Sequence, residues 1–578
     1  KMERVYQSDL ARHRTKAIEF GVVLLKDHYR RSGKPEKFPD LLEKALVYGE
    51  KKALVDMRPD VFNAQLDRAL SILEPLRPFA KQYRIHAVSN THLDFIWQWS
   101  WAETLRAAAQ DFRQVLKFMD EFPDFTFSYT NPALFDALQA QNPALFAEIQ
   151  KRVKQGRWEM AGSRWCEADL NLISEESHAR HFLQAHRFNK EKFGSETAVC
   201  YEPDIFGHLW TFPQMLRKSG VKYYLSRQMN VSPPVFWWEG IDGSKVLSYH
   251  LHHYMDTLDE KVMDFSLTQP QRDLGYTDAL VVYGVGNHGG GPSYDQIKNG
   301  LALDQLALYP SVKFSTLQGF MEKIEQQPST ARAPVVKKEL NHIFRGTYTT
   351  HAETKRLNRS CENLLAAAES FAAIAQAIGI GPNAGRFDTA WRSVLWTHHH
   401  DTICGSTDHS SDLFAQETLR NIEKDVSADL SQTLSNFSAA IKTHGASAHP
   451  RLVFNPVAWP VTVPIHLSLP DATNMWEWVD SGGRVSPVQT QPNPQSVSGI
   501  GVVVLQSLPG LGYRTGWLRP MQKAPLDSLK RIGAFSVRNQ SLLVEISPVS
   551  GNITRLTQLA PKKEWIPIKT ESARFRID

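Results

Sequence analysis

Cysteine is scarce: Cys166, Cys200, Cys361 and Cys404 are the only four in 578 residues, and no two stand in a C-x-x-C pair. A disulfide framework is therefore not expected, and a reducing compartment suits the composition. Surplus charge is scarce too. Against 66 basic residues stand 61 acidic ones, a net of +5 spread along the chain. No basic arm or patch is legible, so neither nucleic acid nor a membrane surface is an expected partner. No apolar run approaches the roughly 18 residues that a membrane span needs. No signal peptide is visible, so the expected localisation is cytoplasmic. The chain opens at Lys1 rather than Met, which leaves a trimmed leader open, and a homo-oligomer stays open as an assembly. Internal repeats and low-complexity segments are missing as well.

What is present is an ordinary globular composition, 42% hydrophobic and 22% charged, over a length that suits about three or four domains. Fifteen tryptophans have two competing uses, core packing and stacking on the apolar face of a sugar ring.

The expected architecture is multidomain, α/β plus all-β. Residues 1–82 read as a helical N-terminal module, with apolar spacings of three and four in Leu41–Tyr48 and Phe62–Leu73. Residues 83–344 alternate short β-rich runs with helical stretches. Ile85–Ser89, Phe125–Thr130, Trp158–Ser163, Ala198–Tyr201, Tyr223–Ser226, Val246–His250, Leu280–Tyr283 and Val312–Ser315 are the predicted strands. Pro132–Gln141 and Glu176–Phe193 are predicted helices between them. Near-continuous apolar strands alternating with helices predict a parallel sheet, in a (β/α)-barrel-like catalytic domain. Residues 345–445 read as a helical bundle, and 446–578 as a β-sandwich that stops without a closing element.

In parallel α/β architectures ligands sit at the carboxyl ends of the strands. The first strand runs into His92-Leu93-Asp94. A His and an Asp two apart in extended backbone face the same side, and both ligate zinc well. As an alternative, their polar groups cap a helix. The fourth strand runs into Glu202-Pro203-Asp204, where Pro203 ends the ladder and Asp204 stands on the rim or caps a helix. The seventh runs into Gly284-Val285-Gly286-Asn287-His288-Gly289. This matches GxGxxG literally, but the dinucleotide fingerprint opens a nucleotide fold rather than following six strands. The glycines instead let backbone approach a ligand, with Asn287 and His288 at the mouth. In the helical region, His398-His399-His400-Asp401 can supply one or two ligands, since three successive side chains do not share a helix face. Taken together, these segments predict a rim site with a zinc ion.

Other residues extend the pattern. Trp97-Gln98-Trp99 and Ala102-Glu103-Thr104 follow the first pair; Gly162-Ser163-Arg164-Trp165 precedes Glu167 and Asn171; Ile205-Phe206-Gly207 follows Asp204. Further on come Gly346-Thr347-Tyr348-Thr349-Thr350-His351-Ala352, Gly405-Ser406 and Val453-Phe454-Asn455-Pro456. Over residues 83–460 the chain resembles glycoside hydrolase family 38, the class II α-mannosidases, in its cytosolic and bacterial branch. The resemblance implies a zinc-dependent retaining α-mannosidase acting on a mannose-containing glycoside. It implies zinc held by His92, Asp94, Asp204 and His400, with Asp204 also the nucleophile. A carboxylate beside a dication stays ionised and ready to attack. Trp97 becomes the pocket floor with Phe206 near it, and Asp401 a partner for sugar hydroxyls. Arg227 falls one residue out of register with a family arginine, and His351 is a substrate-side candidate. The chain departs from the branch where an acid/base Asp is expected, because Asn287 stands there. Three explanations stay open: a replaced Asp, His288 as the acid/base, or another carboxylate such as Asp256 or Asp273. A mannoside-binding protein with impaired turnover, and a zinc carbohydrate deacetylase using Asp204 as base, are the competing functions.

Overall fold

The computed structural model describes residues 59–258, 274–341, 343–381, 384–443, 449–471, 473–491, 499–521, 530–559 and 562–566, with scattered positions before residue 27. The expected helix Leu41–Tyr48 and the candidate Asp273 lie outside them. The chain packs into two compact units, residues 1–369 with 384–429, and residues 370–383 with 430–578. None of the four cysteines is in a disulfide. No described helix is long and apolar enough to cross a membrane.

The first unit is built on two five-stranded sheets. In one, β1 (Arg84–Ser89), β2 (Phe127–Tyr129), β3 (Trp158–Met160), β8 (Asp278–Tyr283) and β9 (Ser311–Phe314) all pair in parallel. In the other the order is β10 (Val335–Val336), β6 (Val235–Glu239), β7 (Lys245–His250), β5 (Tyr223–Ser226) and β4 (Val199–Tyr201). All eight predicted strands are present, within three residues at either end.

Two strands of the second sheet, β6 and the β10 that pairs with it in parallel, depart from the all-parallel expectation. β6, which follows Pro233-Pro234 and was not expected as a strand, runs antiparallel to β7. The reason is the length of the connection. Five residues turn the chain, with Gly240 N–H donating to Ser244 O and Gly243 at φ +83°, whereas a parallel return needs a crossover of a dozen residues or more. The two sheets meet at a few backbone hydrogen bonds. Tyr201 N–H reaches Ala161 O at 3.4 Å beyond β3, and Asp256 N–H reaches Val282 O at 3.1 Å on β8.

Both faces of the β1 sheet are covered, so its strands read as apolar runs rather than alternating ones. Phe112 from the helix Trp101–Glu121 packs on Phe127, Tyr129, Phe135 and Trp158 with ring centroids 5.1–6.2 Å apart. Burying each such side chain stabilises the fold by about 1.5–3 kcal/mol. The predicted helices appear as Pro132–Gln141 and Glu175–Phe193, the latter capped by Ser174, which accepts from Ser177 N–H. Beyond residue 345 come the helices Ala352–Ala377, Asp388–Thr397, His400–Cys404 and His409–Ala440. Residues 384–429 of this helical region belong to the same compact unit as the strands.

The second unit contains a six-stranded antiparallel sheet made from strands between Pro450 and Pro520, and a five-stranded one between Lys530 and Ile566. Trp476, Trp478, Val503 and Leu518 lie in the core of the first sheet.

Candidate metal centre

The site forms where β1 and β4 end and the His398–Asp401 segment packs against them. Past Ser89 the chain leaves the ladder and places His92 and Asp94 inside, both about 3% exposed. The glycine loop after β8 lies over them. Asp94 N–H donates to Asn287 O at 2.9 Å, and Leu93 bridges His288. Gly284 is required there: its φ is +132°, and a Cβ would stand 2.0 Å from Asn90 O. Asn287 itself sits at φ 66°, a left-handed conformation that asparagine tolerates better than most residues.

The four residues that the resemblance names as ligands converge, with His399 and Asp401 beside them. Ligand atoms of His92, Asp204 and His400 all lie within 4.8 Å of one another, as do those of Asp94, His399, His400 and Asp401. His400 Nε2 is 3.4 Å from Asp94 Oδ1 and 3.8 Å from Asp204 Oδ2. His92 Nδ1 is 3.8 Å from Asp94 Oδ1. Asp94 Oδ1 and His400 Nε2 are buried and have no hydrogen-bond partner. Leaving such groups unpaired costs about 1–3 kcal/mol each, more when charged. Two imidazoles and two carboxylates turned inward on each other are donors that suit a divalent metal, so the residues could hold such an ion. Glu167 meets both rings: His400 Nδ1 lies 3.3 Å from Glu167 O, as the second nitrogen of a ligating histidine requires, and His92 Nε2 lies 3.1 Å from Glu167 Oε2, while His92 Nδ1 meets Asn287 Oδ1.

The electrostatics agree. Burial alone would keep His92 neutral, but the Glu167 and Asp94 carboxylates outweigh it and push the ring up to about 10. Burial is likewise overcome at His400 by Asp401 and Asp94, which raise it well above an ordinary histidine. Without a cation, the carboxylates draw protons onto these rings. Burial and then the nearby Asp94 charge push Asp401 up to about 8. Ser406 Oγ donates to its carboxylate.

The remaining candidates fall into two groups. Phe206 lies at the centre, edge-on to the His400 ring at 5.4 Å. Asn287 does too, its Oδ1 3.0 Å from His92 Nδ1. Trp97 is on the rim, its ring 5.6 Å from Trp99. His288 turns away from the cluster, with Nε2 2.8 Å from Glu103 and its ring 4.2 Å from Trp99. His351 faces Asp412, 2.9 Å from it. Asp256 is buried and bonded to His252 at 3.2 Å. Arg227 does not touch Asp204. The next residue does, as Gln228 Nε2 donates to Asp204 Oδ1 at 2.7 Å, and Arg227 donates to Gln228.

Three contributors carried no assigned role in the sequence. Glu167 is fully buried and accepts from Asp204 N–H at 2.7 Å as well as facing His92. Tyr254 packs on His92 at 4.7 Å and hydrogen-bonds Asp204; burial and that carboxylate hold its hydroxyl protonated. Gln228 is the third. Tyr254 follows β7 by four residues, so the strand-end rule alone would have found it. Nothing local marks Gln228.

The family description "Glycosyl hydrolases family 38 N-terminal domain" matches residues 82–354, and "Alpha mannosidase middle domain" matches 342–444. The chain belongs to glycosyl hydrolase family 38. All four converging residues lie within these matches. Among family 38 relatives, the chain is 31% identical over 334 residues to "Alpha-mannosidase G" of Dictyostelium discoideum, covering 56% of this chain and 31% of the relative. It is 29% identical to "Alpha-mannosidase 2C1" of Mus musculus over 67% of this chain and 38% of that protein. The chain thus spans about a third of the length of these relatives. In fold it is similar to an alpha-mannosidase from Enterococcus faecalis V583, with TM-score 0.68 and 19% identity over 83% of this chain and 61% of that one.

Proposed function

We propose that this family 38 chain is a zinc-dependent retaining α-mannosidase acting on terminal α-mannosides in the cytoplasm. The observation that carries the reading is the pair of buried, unpaired atoms, Asp94 Oδ1 and His400 Nε2, facing His92 and Asp204. We read the two strand-end-sharing sheets as a (β/α)-barrel-like frame for the site, and residues 450–566 as a β-sandwich. His92, Asp94, Asp204 and His400 would hold the metal. When bound, zinc would offset the concentration of carboxylates and hold sugar hydroxyls beside the nucleophile.

Asp204 is the nucleophile in this reading. Gln228 and Tyr254 fix its carboxylate, and Glu167 fixes its backbone. Attack at the anomeric carbon forms a glycosyl ester on Asp204 as the leaving oxygen departs, and water then cleaves that ester. Trp97 and Phe206 would bound the sugar, and Asp401 would accept from its hydroxyls. Both steps need a group that gives and takes a proton. A carboxamide at Asn287 can do neither, whereas His288 on the same loop can, once its ring swings inward from the Glu103 contact that holds it away from the cluster here.

The experiment is hydrolysis of an aryl α-mannoside and of an α-mannobiose by the zinc-loaded chain. Asp204→Ala should abolish both. His288→Ala should lower disaccharide turnover by about 10²–10⁴-fold and aryl turnover far less, since an aryl oxide leaves without a proton. Asn287→Asp should do little. A large gain in Asn287→Asp with no loss in His288→Ala would move the proton donor to position 287. Full activity in Asp204→Ala would overturn the reading itself.

A further inference from the structure

A second concavity of about 450 Å³ opens in the first unit, on the far side of an aromatic layer from the metal centre. Three indoles line it: Trp101, Trp165 and Trp396. Trp101 and Trp396 meet edge to face at 5.4 Å. The layer behind them is continuous. Trp396 stacks on Phe95 at 6.0 Å, Phe95 on His399 at 4.6 Å, and His399 lies 4.3 Å from His400. None of the lining residues belongs to the metal cluster, so this cavity is a separate place rather than an extension of the site above.

Its polar side is Asp136, Asp388 and Arg392. The Arg392 guanidinium lies over the Trp165 ring at 5.1 Å, with Nε 3.1 Å from Asp388 and NH1 3.5 Å from Asp136. Arg187, 3.3 Å from Asp388, supplies a second cation. Two carboxylates are thus matched by two guanidinium groups, which disfavours a strongly charged ligand of either sign. The indole Nε1–H of Trp396 is buried and has no partner, a donor that costs free energy until an acceptor reaches it. Phe414 lines the cavity too and is 47% exposed. The volume falls within the range of small-molecule sites, about 300–1,000 Å³.

We propose that this cavity is an accessory site for a neutral saccharide. A pyranose has an apolar CH face that an indole can cover and equatorial hydroxyls that a fixed carboxylate–guanidinium pair can grip, and both surfaces are present here side by side. An aliphatic ligand would leave the charged side unused, and an ion would leave the indoles unused. The site would hold a sugar chain against the protein without cleaving it, since no nucleophile of the metal centre reaches it.

The test is hydrogen–deuterium exchange on the zinc-loaded full chain with an α-mannobiose as probe and glycerol at equal concentration as control. Wild type should show probe-dependent protection in residues 132–137 and 388–396, separate from protection around 92–97 and 204–208. Thr418→Trp places a large side chain at the cavity wall, and Arg392→Ala removes the gripping group. Each should cut the apparent affinity read at 388–396 by tenfold or more while leaving aryl mannoside turnover and protection at 92–97 unchanged. Protection confined to the metal centre in wild type would overturn the proposal, as would equal protection from glycerol. So would protection at 388–396 that both variants retain. Because the readout is binding at defined segments, it stands or falls independently of whether the metal centre hydrolyses mannosides.

Discussion

Glu167 is a carboxylate with no exposed surface, held within reach of His92, Asp204 and, through its carbonyl, His400. Its two oxygens accept from two different donors, the His92 ring and the Asp204 backbone. A glutamine at this position keeps one oxygen and turns an NH₂ towards the other donor, so one of the two contacts becomes donor against donor. Glu167→Gln should therefore weaken zinc binding about 10–100-fold, the usual cost of losing such an outer partner. Competition against a chromogenic chelator measures it. Unchanged zinc affinity with lost activity would show that Glu167 acts on the reaction rather than on the ligands.

At the scale of elements, the site depends on strands held in register beneath it. His86 on β1 is paired by Nε2 to Asp278 at the start of β8, at 2.8 Å, and by Nδ1 to Ser315 after β9, at 3.0 Å. One side chain thus ties three neighbouring strands. Burial would raise the Asp278 pKa, but the hydrogen bond from His86 and its charge outweigh that and lower it. A carboxylate whose pKa is lowered on folding contributes stability above its unfolded pKa of about 3.9 and loses it as pH falls through the folded value. Asp278→Asn should cost about 1–2 kcal/mol near pH 7, read from urea unfolding, and the gap to wild type should close as pH falls below the ordinary carboxylate range. A gap that persists at pH 2.5 would place the effect in packing rather than in charge.

At the scale of the molecule, the metal cluster gathers residues 92, 94, 204 and 400, more than 300 positions apart along the chain. A metal that binds only this gathered form stabilises it by about 2.7 kcal/mol when its free concentration is a hundred times Kd. In calorimetry, zinc should therefore raise the transition of the first unit by about 3 °C over the chelated protein. An identical transition with and without zinc would mean that the cluster is not a metal site.

Most of the elements were legible in the sequence, because hydrophobic periodicity is a local property. The eight parallel-sheet strands, the helix Pro132–Gln141 and the two long helices beyond residue 350 all carry their pattern within their own residues. β6 was not legible, since its strand character comes from a short return onto β7. The ligand candidates were legible at strand ends for the same local reason: His92-Leu93-Asp94 and Asp204 each follow an apolar run that stops. Which candidate meets which other was not. Arg227 and Gln228 are neighbours in sequence, and only the path of the loop after β5 decides that Gln228 reaches Asp204. His288 and Asn287 share a glycine loop, and the left-handed turn at Asn287 sends one inward to His92 and the other outward to Glu103. The sequence by itself determined the residue types at the strand ends and hence a donor set suited to zinc, because side-chain chemistry travels with the residue. The tertiary structure alone decided the contacts, the burial that turns those carboxylates and imidazoles against one another, and the tryptophan-lined cavity behind them, because distance and desolvation exist only once remote segments are packed together.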